Sequence, residues 1–75
     1  MNEVGEFLKA NGFKKIEASN YKNDRCNIVI KGWYYAITNN NGDEIYSHDL
    51  NIYWLIGVLT YFGYMDKNYE QLNKE

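Results

Sequence analysis

CNIVIKGWYYAITNNNGDEIY, residues 26–46, holds three apolar runs separated by two turn signals, and its alternation decides the fold. Lys31 and Gly32 lie between CNIVI and WYYAI, where they would serve as a two-residue hairpin loop. That loop pairs Ile30 with Trp33, Ile28 with Tyr35 and Cys26 with Ile37, placing all six on one face. Asn40, Asn41 and Gly42 make the next loop. Three residues ending in Gly fit a type I turn with a G1 bulge, which sets Ile45 opposite Ile37. Upstream, Ile16 and Ala18 join the same face if the chain turns through Tyr21, Lys22 and Asn23. A one-residue slip would scatter this set, so the agreement of three turns argues for the sheet. Its other face carries Lys15, Glu17, Asn27, Val29, Tyr34, Ala36, Thr38 and Tyr46.

Working outward, Val4, Phe7 and Leu8 recur at helical spacing before this sheet. Asn2 is placed to cap that helix, Glu3 and Glu6 suit its first turn, and Asn11-Gly12 ends it with Phe13 folding back. After the sheet comes LNIYWLIGVLTYFGYM, residues 50–65, without one charged residue. Asp49 or Asn51 can cap it. Sixteen helical residues span about 24 Å, short of the roughly 30 Å hydrocarbon core, and the stretch is rich in tyrosine, so no membrane span is expected. The expected fold class is α+β, in a single domain of residues 1–75. It has an N-terminal helix (about 3–11), a four-stranded antiparallel β-meander (about 14–20, 25–31, 33–39 and 43–47) and a C-terminal helix (about 50–65) packed on one sheet face. A polar tail, 66–75, follows.

The second helix has two apolar stripes. Ile52, Leu55, Ile56, Leu59 and Phe62 would cover the sheet. Trp54, Val58, Tyr61 and Met65 follow i, i+4, i+7, i+11 on another side, with Tyr53, Gly57 and Tyr64 beside them. A helix apolar all round should be buried all round, and the short first helix is all the chain offers as a cover. Tyr53, Trp54, Gly57, Val58, Tyr61, Tyr64 and Met65 are the expected protein interface, for self-association or for another protein. The alternative is that the first helix packs against part of this stripe, with Trp54 finishing the core and Gly57 lying under that helix.

Composition narrows the chemistry. One cysteine, Cys26, excludes an intrachain disulfide, and without a Cys/His cluster no structural zinc is expected. The N-terminus, MNEVGEFLKANG, is acidic where an export signal starts basic, so a cytoplasmic location is expected. His48 beside Asp49 has no matched nucleophile, Cys26 lies on the buried face, and Asp43-Glu44 follows a hairpin turn. No catalytic residue, cofactor or metal site is expected. The net charge of −2 opposes a general grip on nucleic acid. The alternative is a single-stranded nucleic-acid module on the outer sheet face, with Lys15, Arg25, Lys31, Tyr34 and Tyr46 as its contacts. A structural protein of a mobile element is a third reading.

Asn, Lys, Tyr, Ile and Phe make up 36 of the 75 residues, the signature of AT-rich codons. GDEIYSHDLNIYWLIGVLTYFGYMDKNY, residues 42–69, resembles the C-terminal part of small uncharacterised accessory proteins of bacteriophages and mobile elements of AT-rich bacteria. The resemblance implies a non-enzymatic factor, an inhibitor of a host defence or nucleic-acid-processing protein, whose partner is a host protein or a second copy. It carries over no functional residue.

Overall fold

Two turns of the same pattern, Leu, three residues, Gly and an aromatic, in LKANGF (residues 8–13) and LTYFGY (residues 59–64), end the two helices of the computed structural model, which describes residues 3–71. The first helix, α1, is Glu3–Ala10. Gly12 follows it at φ 91°, with Gly12 N–H donating to Lys9 C=O (3.4 Å) and Phe13 N–H to Leu8 C=O (3.0 Å). That is a Schellman motif, and it folds the Phe13 ring onto Leu8 as expected. The expected cap at Asn2 lies outside the described residues.

The second helix, α2, is Ile52–Tyr61, shorter than the expected 50–65. Gly63 sits at φ 76°, Gly63 N–H donates to Thr60 C=O (3.2 Å) and Tyr64 N–H to Leu59 C=O (2.8 Å), the same motif again. Tyr64 and Met65 therefore leave the helix and turn into the core, where both are buried.

Between the helices lies a five-stranded antiparallel meander in sequential order: β1 (Lys14–Glu17), β2 (Asn20–Lys22), β3 (Cys26–Ile30), β4 (Tyr35–Asn39) and β5 (Glu44–Tyr46). The fold class is α+β, but the expected first strand is two strands. The chain turns at Ala18-Ser19, and residues Tyr21 and Lys22, expected in a turn, pair with β3. A bulge between Lys15 and Glu17 shifts the pairing, so Lys15, not Ile16, stands opposite Tyr21. Ile16 is 53% exposed and Ala18 is also exposed, not core residues.

The β3–β4 register also differs from the expected one, by two residues: Ile30 pairs with Tyr35, Ile28 with Ile37 and Cys26 with Asn39. Two-residue loops of type I′ need positive φ at both central residues, and type II′ needs Gly first. Lys31-Gly32 meets neither demand, and no described residue other than glycine has positive φ. The loop opens to four residues, closed by Lys31 N–H on Tyr34 C=O (2.8 Å), and expels Trp33 from the sheet. A shift of two keeps every side chain on its face, so the expected buried set survives without Trp33. The Asn40–Gly42 loop is as expected: Gly42 (φ 89°) N–H donates to Asn39 C=O, and Ile37 faces Ile45.

Tyr21, Cys26, Ile28, Tyr35 and Ile37 from the sheet meet Phe7, Leu8 and Phe13 from α1 and its cap, and Leu55, Ile56 and Leu59 from α2, in one core cluster. Both helices thus cover the same sheet face. The start of the expected tail is docked: Asn11 Nδ2 donates to Glu70 C=O (3.2 Å), its Oδ1 accepts from Glu70 N–H (2.6 Å), and Tyr69 meets Phe7 edge-on. Residues 72–75 of that tail lie outside the described residues. Gly63→Ala forces a Cβ into left-handed backbone, and its stability in urea is expected to fall by about 1–2 kcal/mol. An unchanged unfolding midpoint would contradict the cap.

Candidate functional site: the exposed side of the second helix

What the core leaves outside is set by how α2 is hung on the sheet. Ser47 Oγ accepts from Tyr35 N–H (2.8 Å) and donates to Asp49 C=O (2.6 Å), while Tyr35 Oη donates to Leu50 C=O (2.9 Å). Asn51 then caps the helix, its Oδ1 accepting from Tyr53 N–H (2.8 Å) and Trp54 N–H (3.3 Å). At the far end Asn23 Nδ2 donates to Tyr64 C=O (2.8 Å) and Arg25 Nη1 to Gly63 C=O (3.0 Å). With both ends pinned, the helix has one rotational setting. Ser47 is a structural hydroxyl here, its Oγ engaged by backbone groups of Tyr35 and Asp49.

That setting divides the expected interface. Trp54 is half-buried, its ring stacked nearly parallel to Tyr35 at 6.3 Å, and Val58 is half-buried against the core. Tyr64 and Met65 are buried, because the chain leaves the helix before reaching them, and so they are not surface anchors. Tyr53 (61% exposed), Gly57 and Tyr61 (82% exposed) remain, spaced i, i+4, i+8 along the outward side. Phe62, expected to cover the sheet, is instead 50% exposed, because as the C-cap it turns with the Gly63 motif. It meets Tyr61 edge-on at 4.9 Å and stacks on Tyr64 at 5.7 Å. Beside Tyr61 is a concavity lined by Thr60, Tyr61, Lys67 and Tyr69. Gly57 does not lie under α1: a Cβ built there meets nothing within 4 Å.

A second aromatic group stands on the uncovered sheet face. Trp33 (66% exposed) contacts Tyr34 at 4.7 Å between ring centres, and Tyr34 meets Tyr46 edge-on at 6.0 Å. Lys31 pairs with Tyr34 in the same loop. Across this face run two rows, Lys14–Lys22–Asn27–Thr38–Glu44 and Glu17–Asn20–Val29–Ala36–Tyr46. Glu44 accepts from the Tyr46 hydroxyl, which raises the Tyr46 pKa above its ordinary value. Of the expected nucleic-acid contacts, Lys31, Tyr34 and Tyr46 come together. Lys15 is on the helix-covered side at the sheet edge, and Arg25 is engaged by Gly63 and by Asp66 (3.4 Å). Trp33 joins this group although its expected place was the buried face.

Cys26 is buried, and burial pushes its thiol up to about 12 against a partial opposing pull from Arg25, so it stays protonated at neutral pH. Among the described residues no cluster of His, Cys, Asp or Glu could hold a metal ion, and no helix is long and apolar enough to cross a membrane. No protein-family model matches the chain, and no curated protein or solved structure matches it.

Burial, aided by the negative charges of Asp49 and Glu3, pushes the Tyr35 hydroxyl from 10 to about 12. A folded-state pKa above the unfolded one contributes stability that is complete below pH 10 and is lost as pH rises towards 12. Urea midpoints of wild type should therefore decline more steeply across pH 10–12 than those of Tyr35→Phe, which is already less stable at neutral pH for want of the bond to Leu50. Parallel declines would remove Tyr35 from that role.

Proposed function

We propose that the chain is a small non-enzymatic protein-binding accessory factor whose contact surface is the outward side of α2. The observation that carries this reading is the exposure of Tyr53 and Tyr61 on, and of Phe62 just beyond, a helix whose opposite side already completes the core. Large rings held rigidly at a surface give contact area at low entropic cost and are enriched among interface anchors. Tyr61, 82% exposed, adds little to the core from where it stands. The resemblance of residues 42–69 to accessory proteins of phages and mobile elements supports a host defence or nucleic-acid-processing protein as one partner class.

Tyr61→Lys tests this directly. As an exposed substitution it should leave stability within about 0.5 kcal/mol. It should abolish retention of the protein, from host extract or from purified chain, that wild type holds at micromolar concentration. If wild type binds neither, or the variant binds equally well, α2 is not the contact surface.

A second reading, single-stranded nucleic-acid binding, is favoured by the Trp33–Tyr34–Tyr46 group beside Lys31, because bases stack on such rings. It predicts that a labelled single strand binds in low salt, that binding weakens as salt rises, and that Trp33→Ala reduces it about tenfold. No binding at low ionic strength would end it.

A further inference from the structure

We infer that the protein held by the outward side of α2 is a second copy of this chain, packed antiparallel with Gly57 on the two-fold axis. This rests on the reading of α2 as the contact surface and names its occupant. Glycine in a helix interior is unfavourable beside alanine, so Gly57 needs a reason. Its backbone supplies none, since the positive-φ glycines are Gly12, Gly42 and Gly63. Its surroundings supply none either, since a Cβ there meets nothing within 4 Å. What remains is close approach of something outside the described residues.

The residues around Gly57 fit a copy of themselves. A two-fold contact must be self-complementary, each residue meeting a partner that meets it in return. Tyr53 and Tyr61 lie four residues to either side of Gly57, about 6 Å along the axis in each direction. An antiparallel pair crossing at Gly57 brings Tyr53 of one copy to Tyr61 of the other, twice. The concavity lined by Thr60, Tyr61, Lys67 and Tyr69 then receives the incoming Tyr53 ring. The same arrangement sets the exposed Asp49 end of one helix beside the exposed Lys67 end of the other, while Asp66 is engaged by Arg25. Helix dipoles oppose favourably in this orientation. No charge within residues 50–65 resists the pairing.

Area sets the strength. At about 200 Å² per aromatic ring, the exposed parts of Tyr53, Tyr61 and Phe62 offer about 400 Å² per copy, and Leu50 and the Gly57 backbone bring a pair to roughly 1,000 Å². That is the lower end of specific interfaces and corresponds to a reversible, micromolar dimer.

Sedimentation equilibrium of the full chain from about 1 to 500 μM, a range bracketing micromolar affinity, should show a monomer–dimer equilibrium. Gly57→Leu should weaken it at least tenfold while raising the melting temperature of the dilute monomer, opposite signs that a purely structural glycine would not give. Asp49→Lys and Lys67→Asp should each weaken the dimer, and the double swap should restore it, an outcome readable even if Gly57→Leu folds badly. A wild type monomeric throughout overturns the dimer but leaves the α2 contact reading standing if Tyr61→Lys still loses an extract protein. A dimer indifferent to Gly57→Leu and to the charge swaps uses another surface and overturns the inference.

Discussion

A phenol buried in an apolar core must find an acceptor, and much of this structure follows from where Tyr35 finds one. Its side chain has no exposed surface, and its hydroxyl reaches across the core to the carbonyl of Leu50, one residue before the helix cap. Its backbone N–H meanwhile takes Ser47 Oγ, and Ser47 N–H donates to Tyr35 C=O. The connection from β5 to α2 is thus tied to one residue of β4 from three sides. That fixes where α2 begins and, with Asn51 as its cap, which way it is rotated. Trp54 can then lie flat against the Tyr35 ring at the edge of the core.

The other end of the molecule is organised by carbonyls left over when helices stop. Both helices end in a glycine-based turn that satisfies several of these groups internally, and the carbonyls of Gly63 and Tyr64 just beyond α2 are met by side chains from the β2–β3 turn. Asn23 is central: its Oδ1 accepts from Arg25 N–H and Cys26 N–H, shaping the turn, while its Nδ2 holds Tyr64 C=O. Asn11 does the corresponding work for the tail, bonding Phe7 C=O and both backbone groups of Glu70. Asparagine suits these posts because one side chain offers donor and acceptor together. Much of the Asn content that suggested AT-rich coding therefore has structural employment.

These polar ties also explain what could be read from the sequence. Face assignments in β3, β4 and β5 were legible because alternation fixes parity, and a two-residue error in register leaves parity intact. The Asn40–Gly42 loop was legible because Gly42 alone there can take left-handed backbone at no steric cost. Ala18-Ser19 carries no such signal, so the β1–β2 hairpin and the true environment of Ile16 were hidden. The end of α2 was written in LTYFGY as plainly as the end of α1 in LKANGF, but continuing apolar periodicity through Met65 masked it. Docking of Tyr69 on Phe7 and of Glu70 on Asn11, 59 positions from it, has no local signature. The candidate surface was legible in kind but not in membership: Tyr53, Gly57 and Tyr61 were kept, Trp54, Val58, Tyr64 and Met65 were drawn inward, and Phe62 emerged.

That redistribution strengthens the functional argument. An aromatic stripe running through Trp54 and Met65 could be explained by the demands of a small core, which needs every large side chain it can bury. The structure meets those demands with Trp54, Tyr64, Met65 and Tyr69. Tyr61 gains little from the fold, and the fold gains little from it, since its ring is almost wholly in solvent apart from the edge of Phe62. Gly57 weakens its own helix with no steric or conformational return among the described residues. Selection for stability alone would replace both, the one by a charged residue and the other by alanine. Their joint placement on one side of a charge-free helix is what the proposed contact surface rests on.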